Sequence, residues 1–221
     1  MVTYDPRGLS RSPFDGEPQD TTVQTFADDA HRLLAAVGNE PAYVLGSSGG
    51  GLVGLELVAD HPEQVRVLVA HEPPTTRLLD DADEHVAFAR EVYDTSLSEG
   101  VGPAMGKFLA TAGLDQGEPQ PPVESTPEMD EAMSRMQGHM DFFLGHMWMP
   151  LMGYLPDTSR LKSLPIVVAV GEASEGQLAH RAGRALAERL GQEPTLFPGD
   201  HGWGGEPEAF ASRLDEVLST Y

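Results

Sequence analysis

The chain has 221 residues, 40% of them hydrophobic, which is enough for one domain with a sizeable core. Its 35 acidic and 14 basic residues give a formal net charge of -21, so its surface repels nucleic-acid phosphates and anionic membranes. The absence of cysteine excludes disulfides, thiolate metal sites and a cysteine nucleophile. No apolar run is typical of a signal peptide or a membrane span, so the sequence predicts a cytoplasmic protein that binds neither nucleic acid nor membranes.

Short apolar segments alternate with amphipathic ones along most of the chain. In chain order they predict a strand over Met1–Tyr4, a helix from Thr25 to Val37, a strand over Ala42–Gly46, a helix through Ala59, a strand over Val65–Ala70, a strand over Leu164–Val170, a helix from about Gly176 to Leu190, a strand over Thr195–Phe197 and a helix over Glu206–Leu218. Strands that are apolar on both faces and alternate with helices indicate an α/β fold, with a parallel sheet covered on two sides.

Residues 73–160 interrupt this alternation. Helical patterns cover Glu84–Leu97 and Pro127–Met147, and several proline and glycine residues break the stretch. The segment Asp115–Glu131 is rich in proline and acidic residues and predicts an exposed loop. We interpret 73–160 as a helical insertion that lies over the carboxyl-terminal edge of the sheet.

The most specific chemical signal is Gly-Ser-Ser-Gly-Gly at 46–50, between a predicted strand and a predicted helix. It fits the pattern G-x-S-x-G, in which a sharp turn strains the serine backbone and exposes the hydroxyl beyond the sheet. The backbone N–H of Gly49, at the start of the helix, points to where an oxyanion would form. A glycine-rich phosphate loop would end in lysine, which 51–53 lack. The pattern favours Ser48 as a nucleophile over a plain strand–helix turn.

A serine is a poor nucleophile without a base. His201 lies in Pro-Gly-Asp-His-Gly at 198–202, a glycine-flanked loop between the last predicted strand and the last helix. Considered alone, it would be an ordinary surface histidine. Because a loop beyond one strand end can meet a serine beyond another, the order serine then histidine favours His201 as the base of Ser48.

With these motifs the chain resembles the α/β-hydrolase superfamily, and within it the lid-bearing serine esterases, perhydrolases and dehalogenase relatives. The resemblance covers 1–72 and 161–221 as the hydrolase core. It rests on Tyr-Asp-Pro-Arg-Gly at 4–8, the serine turn, His-Pro-Glu-Gln-Val at 61–65 and the histidine loop. It implies a mostly parallel sheet flanked by helices, with 73–160 as a helical lid.

The resemblance leaves the acid of the triad open. The family often places an aspartate about three residues past the glycine that follows the fourth predicted strand, and here that position is Ser174, flanked by Glu172 and Glu175. A second arrangement in the superfamily puts the acid after the preceding strand, where this sequence has Glu72. A carboxylate at a strand's carboxyl end can reach the same histidine, so Glu72 is preferred and Glu175 is next. A solvated loop carboxylate is the plain alternative for Glu72.

By the same resemblance, the first three strands of the family and one oxyanion-hole N–H have no counterpart in this sequence. The third of those strands normally lies between the strands that match 1–4 and 42–46, so the gap would fall inside the sheet. Unpaired apolar strand edges invite pairing. We therefore expect either Met1–Tyr4 to pair directly with Ala42–Gly46 or a second copy to cover the edge as a homodimer.

Apolar side chains crowd the end of the insertion. They are Met133, Met136, Met140, Phe142, Phe143, Met147, Trp148, Met149 and Met152. Methionine adapts to irregular apolar ligands, although a helix that simply packs on the domain would look the same. From this set we predict four substrate-binding residues: Met140, Phe143, Met147 and Trp148. His139 and His146 lie seven residues apart, which is weak for a metal site, and neither a metal nor another cofactor is expected.

Two functions fit these residues. In the first, the chain is a serine hydrolase of a small apolar ester, lactone or similar acyl compound, with Ser48, His201 and Glu72 as triad and Gly49 as oxyanion donor. In the second, it is a non-catalytic relative that binds a small molecule or a partner. A dehalogenase is disfavoured, because that chemistry in the family uses aspartate where this chain has Ser48.

Overall fold

The computed structural model describes residues 1–112, 126, 131, 139–202 and 206–221. Within those residues the sheet has four strands in the order β1-β2-β3-β4, and every neighbouring pair is parallel. The strands are β1 Ala42–Ser47, β2 Val65–His71, β3 Ile166–Gly171 and β4 Thr195–Phe197. The predicted parallel α/β fold is therefore confirmed.

Helices connect and cover the strands. The α-helices of the described residues are α1 Val23–Val37, α2 Gly49–Asp60, α3 Ala82–Ser98, α4 Val101–Ala112, α5 Trp148–Met152, α6 Thr158–Leu161, α7 Leu178–Leu190 and α8 Pro207–Leu218. Three short 3-10 turns lie at Pro62–Gln64, Thr76–Leu78 and Glu172–Ser174, and a π-helical turn at Phe143–Met147 runs directly into α5. In the part of the chain that the structure describes, no helix combines the length and apolarity needed to cross a membrane.

The central strands β2 and β3 are covered on both faces, whereas β1 at the edge exposes Tyr43 and Leu45. Successive residues of a strand point to opposite faces. Leu68 and Ala70 of β2 pack into a core with side chains of α1, α2 and α7. Val67 and Val69, which alternate with them, pack on the opposite face against α8. All six residues of β3 are buried as well. This two-sided burial explains why residues 67–70 of β2 and 166–170 of β3 are continuously apolar in the sequence.

The prediction of a strand at Met1–Tyr4 is wrong. The segment forms no strand, and Val2 and Tyr4 are 61% and 42% exposed. The chain just beyond it is held against α1, because the Arg7 guanidinium forms a bidentate ion pair with Asp29. Val2 and Tyr4 consequently line an apolar groove of about 270 Å³ beside β1 and do not pair with that strand. The alternative, a second copy on the β1 edge, stays a prediction.

Other boundaries differ less from the predictions. The cap of α1 is Thr22 and not Thr25, since the Thr22 hydroxyl accepts a hydrogen bond from the Thr25 N–H. Met133, Met136, much of the predicted helix Pro127–Met147 and, apart from Thr126 and Glu131, the predicted loop at Asp115–Glu131 lie outside the described residues.

Gly46 and α2 approach so closely that a side chain cannot be added to the strand. A Cβ on Gly46 would lie 2.4 Å from the Gly50 carbonyl oxygen, whereas a Cβ on Gly50 would meet nothing within 4 Å. The strand end and the helix start can pack together only because Gly46 lacks a side chain.

We expect Gly46→Ala to lower the free energy of unfolding by about 1–3 kcal/mol, as overpacking of a closed contact does. Gly50→Ala is the matched control and should leave stability unchanged or raise it by up to about 1 kcal/mol, since alanine favours a helix. Urea unfolding followed by circular dichroism measures both. Equal midpoints for the two variants would contradict this account of the close contact.

Candidate active site

Ser48 occupies a strained turn between β1 and α2. Its backbone angles are φ 53° and ψ -124°, outside the range that non-glycine residues usually adopt. Two hydrogen bonds hold this conformation: the Ser48 N–H donates to the His71 carbonyl at 2.9 Å, and the Gly51 N–H donates to the Ser48 carbonyl at 2.8 Å. Such strain costs on the order of 1–3 kcal/mol and persists where the surrounding structure enforces it.

Glu72 follows β2 and is the second strained residue at this edge, with φ 45°. Its side chain is fully buried, and its N–H donates to the Ala169 carbonyl of β3 at 2.9 Å. One carboxylate oxygen, Oε2, accepts a hydrogen bond from His201 Nδ1 at 2.7 Å. The other, Oε1, accepts from the Gly171 N–H at 2.9 Å and from the Ser174 hydroxyl.

These donors decide the charge of the Glu72 carboxyl group. Burial raises its pKa, but the hydrogen bonds from His201, Ser174 and the Gly171 N–H together outweigh burial and hold the pKa below its ordinary value. The group is therefore an ionised acceptor at neutral pH. It follows that the proton shared with His201 is carried on Nδ1, which leaves Nε2 of the neutral imidazole as an acceptor.

His201 lies on the loop after β4, close to Ser48 across the sheet edge. The loop is tied to the segment after β3, because the Ala173 N–H donates to the Gly199 carbonyl at 2.9 Å. His201 and Ser48 line the same cavity. Among the described residues no hydrogen bond joins the Ser48 hydroxyl to His201, and catalytic hydrogen bonds of this kind often tighten only when substrate binds.

The other candidate acids, Glu172 and Glu175, have no hydrogen bond to His201 in the described residues. Glu172 and Glu175 are exposed, while Ser174 between them is fully buried against Glu72. The turn thus points Ser174 inward, while Glu172 within it and Glu175 directly after it face solvent. Of the three carboxylates considered from the sequence, Glu72 is the one that the structure hydrogen-bonds to His201.

Sequence reasoning missed a second imidazole beside the site. His71 is fully buried at the end of β2, with its Nδ1 3.3 Å from the Ser47 hydroxyl and its Nε2 without a hydrogen-bond partner. Burial lowers its pKa to about 4, so the ring is neutral near pH 7 and a weak base. No carboxylate is bonded to its other nitrogen, in contrast to His201. The signal for it was its place at the end of an apolar strand, next to Glu72.

The cavity in front of Ser48 has a volume of about 320 Å³. Its apolar wall consists of Pro74, Met105, Phe108, Met140, Phe143, Trp148, Leu151, Met152, Leu178 and Ala179. Ser48, Gly49 and His201 complete the lining. Of the predicted substrate-binding residues, the structure therefore places Met140, Phe143 and Trp148 on this wall. Met105 and Phe108 of α4 were missed, because no sequence motif marks a helix that folds over the cavity.

Met147 departs from its predicted place. It is buried in a separate cluster with Phe26 and Leu52 and does not line the cavity. A π-helical turn lies between Phe143 and Trp148, in which the Trp148 N–H donates to the carbonyl of Phe143, five residues earlier. Phe143 and Trp148 come to the same side, with ring centroids 5.8 Å apart, and Met147 turns toward the core.

Comparison with known proteins shows the family to which the chain belongs. Residues 1–118 match the family described as the alpha/beta hydrolase fold. The chain is 34% identical over 229 residues to the uncharacterized hydrolase YraK of Bacillus subtilis strain 168, an alignment that covers 99% of this chain and 78% of YraK. The chain therefore belongs to the α/β-hydrolase family and is a hydrolase.

Solved structures share the fold at low sequence identity. A thermophilic esterase from Thermogutta terrifontis superposes with a TM-score of 0.70 and 19% identity, covering 98% of this chain and 78% of the esterase. Est816, an N-acyl homoserine lactone degrading enzyme, superposes with a TM-score of 0.62 and 20% identity, covering 98% of this chain and 80% of Est816.

The buried imidazole of His71 makes a testable contribution to acid sensitivity. Its folded-state pKa of about 4 lies below the ordinary value of 6.5, so between these values the unfolded chain takes up a proton that the folded chain does not. Stability is therefore lost as the pH falls through this window, by up to about 3 kcal/mol.

We expect His71→Phe, which would pack beside Phe197 and Phe210, to flatten the loss of stability between about pH 6.5 and pH 4. His61→Phe, on the partly exposed turn after α2, is the matched control and should retain the wild-type slope. Denaturant unfolding at a series of pH values measures this. An unchanged slope in His71→Phe would show that burial of His71 does not set the acid sensitivity.

Proposed function

We propose that this chain is a serine hydrolase that cleaves an ester, lactone or similar acyl bond of a small apolar substrate through an acyl-enzyme. One observation carries the proposal. The strained Ser48 and His201, itself hydrogen-bonded to a buried ionised Glu72, line one cavity. Nucleophile, base and orienting acid are the three roles that acyl transfer by serine requires.

In the proposed first half-reaction, His201 Nε2 takes the proton of the Ser48 hydroxyl as the serine oxygen bonds to the substrate carbonyl carbon. The carbonyl electron pair moves to its oxygen, and the Gly49 N–H at the start of α2 stabilises that oxyanion. The Glu72 carboxylate stabilises the imidazolium. The oxyanion then collapses, the bond to the leaving oxygen breaks, and His201 returns its proton to that oxygen.

In the second half-reaction a water molecule takes the place of the serine. His201 removes a proton from the water as the water oxygen bonds to the acyl carbon. The tetrahedral intermediate collapses, the bond to the serine oxygen breaks, and that oxygen recovers its proton from His201. The products are the regenerated Ser48 and, from an ester, a carboxylic acid and the alcohol released earlier; from a lactone, the leaving oxygen stays on the acyl chain and the product is one hydroxy acid.

The lining of the cavity favours a substrate whose acyl or alcohol group is uncharged and apolar. Its described wall carries no Lys, Arg, Asp or Glu, so a charged substituent there would lose hydration without gaining a partner. Its volume of about 320 Å³ is at the small end of the roughly 300–1,000 Å³ typical of ligand pockets. The similar folds of an esterase and of an N-acyl homoserine lactone degrading enzyme are consistent with such substrates.

A fluorophosphonate probe tests the nucleophile. We expect covalent labelling of Ser48 in the wild-type protein, loss of labelling in Ser48→Ala, and retained labelling in Ser47→Ala, because Ser47 faces only the weakly basic His71. Mass spectrometry of tryptic peptides locates the label. A folded wild-type protein that takes up no label would favour the alternative of a non-catalytic binding protein, and label on Ser47 would move the nucleophile.

The acid is tested by removing its charge. We expect Glu72→Gln to lower kcat/KM for p-nitrophenyl butyrate by about 10³–10⁴-fold, since an amide neither fixes the tautomer of His201 nor stabilises its imidazolium. Glu175→Gln, on the same sheet edge but exposed, is the matched control and should stay near the wild-type value. If Glu175→Gln were the more damaging change, the acid would lie on the turn after β3.

A further inference from the structure

Ser174 is a buried polar residue beside the candidate site that the proposed mechanism leaves unused. It ends the short turn after β3 and has no exposed surface, whereas Ala173 and Glu175 on either side are exposed. It is not part of the cavity wall, so it does not contact a substrate bound there. Its hydroxyl must therefore act through another residue.

The Ser174 hydroxyl lies within hydrogen-bond distance of two acceptor oxygens but can donate only one proton. They are Glu72 Oε1 and the Gly171 carbonyl oxygen, the latter at 3.0 Å. An ionised carboxylate is the stronger acceptor, so the proton goes to Glu72. Together with the Gly171 N–H, this hydroxyl occupies Oε1 and leaves Oε2 to face His201.

The same turn also sets the position of the base. The Ala173 N–H donates to the Gly199 carbonyl, two residues before His201. A Cβ on Gly171 would lie 2.7 Å from that carbonyl oxygen, so the two loops are in close contact. The segment that carries Ser174 thus holds the acid from one side and the histidine loop from the other.

We infer that Ser174 is a positioning residue of the hydrolase: its hydroxyl locks the Glu72 carboxylate in the rotation and the ionised state that orient His201 toward Ser48. The inference rests on the proposed serine mechanism. Without this donor the carboxylate can turn about its last torsion, and its negative charge is less compensated. His201 would then be less well oriented and would hold its proton to a higher pH.

The test compares the wild-type protein with Ser174→Ala, Ser174→Thr and a surface control, Ser212→Ala on α8. Steady-state hydrolysis of p-nitrophenyl butyrate and the rate of fluorophosphonate labelling are measured between about pH 5 and pH 9. For Ser174→Ala we expect kcat to fall by about tenfold and the acid limb of both profiles to move up by about one pH unit. KM should not change, because Ser174 does not line the cavity.

Ser174→Thr keeps the hydroxyl and should restore the wild-type acid limb, and Ser212→Ala should match the wild-type protein throughout. If Ser174→Ala fails to fold by circular dichroism, Ser174→Cys replaces it, since a thiol is similar in size but a weak donor. For Ser174→Cys we expect the acid limb of both pH profiles to shift to higher pH, as for Ser174→Ala.

The outcomes separate the two proposals. A wild-type protein that takes no label refutes the serine mechanism and this inference with it. A labelled wild-type protein whose Ser174→Ala variant keeps kcat and the acid limb refutes only the role of Ser174. Lower thermal stability with an unmoved acid limb in Ser174→Ala and Ser174→Cys would assign the residue to folding alone and would also refute it.

Discussion

The architecture of the site depends on one buried carboxylate. Glu72 is fully inaccessible to solvent, and an ionised group in that position would destabilise the fold by several kcal/mol if it were left unpaired. Its donors come from three places in the chain: the end of β3 at Gly171, the following turn at Ser174 and the loop after β4 at His201. One charge therefore holds three segments together, and the catalytic proposal and the local stability rest on the same hydrogen bonds.

The parallel sheet explains why these groups meet. Strands that run in one direction bring their carboxyl ends to one edge. Here Ser48 directly follows β1, Glu72 directly follows β2, and Gly171 ends β3. The first two residues have positive φ, so the chain bends sharply where the side chains must leave the sheet plane. At Ser48 this bend is held by the hydrogen bonds of its backbone N–H and carbonyl, next to the close contact of Gly46 with α2.

The residues of the proposed triad and the residues of the cavity wall come from different parts of the chain. The proposed nucleophile, base and acid lie where strands of the sheet end, whereas most of the cavity wall comes from helices between β2 and β3. A π-helical turn in that region places Phe143 and Trp148 together over the cavity. An apolar enclosure of this kind strengthens the electrostatic interactions of the few polar groups at its base, because water is largely excluded.

The sequence by itself determined the α/β class and the strands β1 to β4 to within two residues at each end. It also identified Ser48 and His201 as a candidate nucleophile and base. These features could be predicted because hydrophobic periodicity and turn motifs depend on residues that are close together in the chain. The sequence wrongly predicted a strand at Met1–Tyr4, because an apolar pattern does not show whether a segment finds a partner strand, and here the chain that follows is paired with α1 through Arg7 and Asp29. Only the tertiary structure decided that Glu72 and not Glu175 faces the histidine. The position of the acid depends on which side chain of a turn points inward. It also depends on hydrogen-bond donors that lie about 100 residues from Glu72 in the chain, and a local sequence pattern does not show which such residues meet.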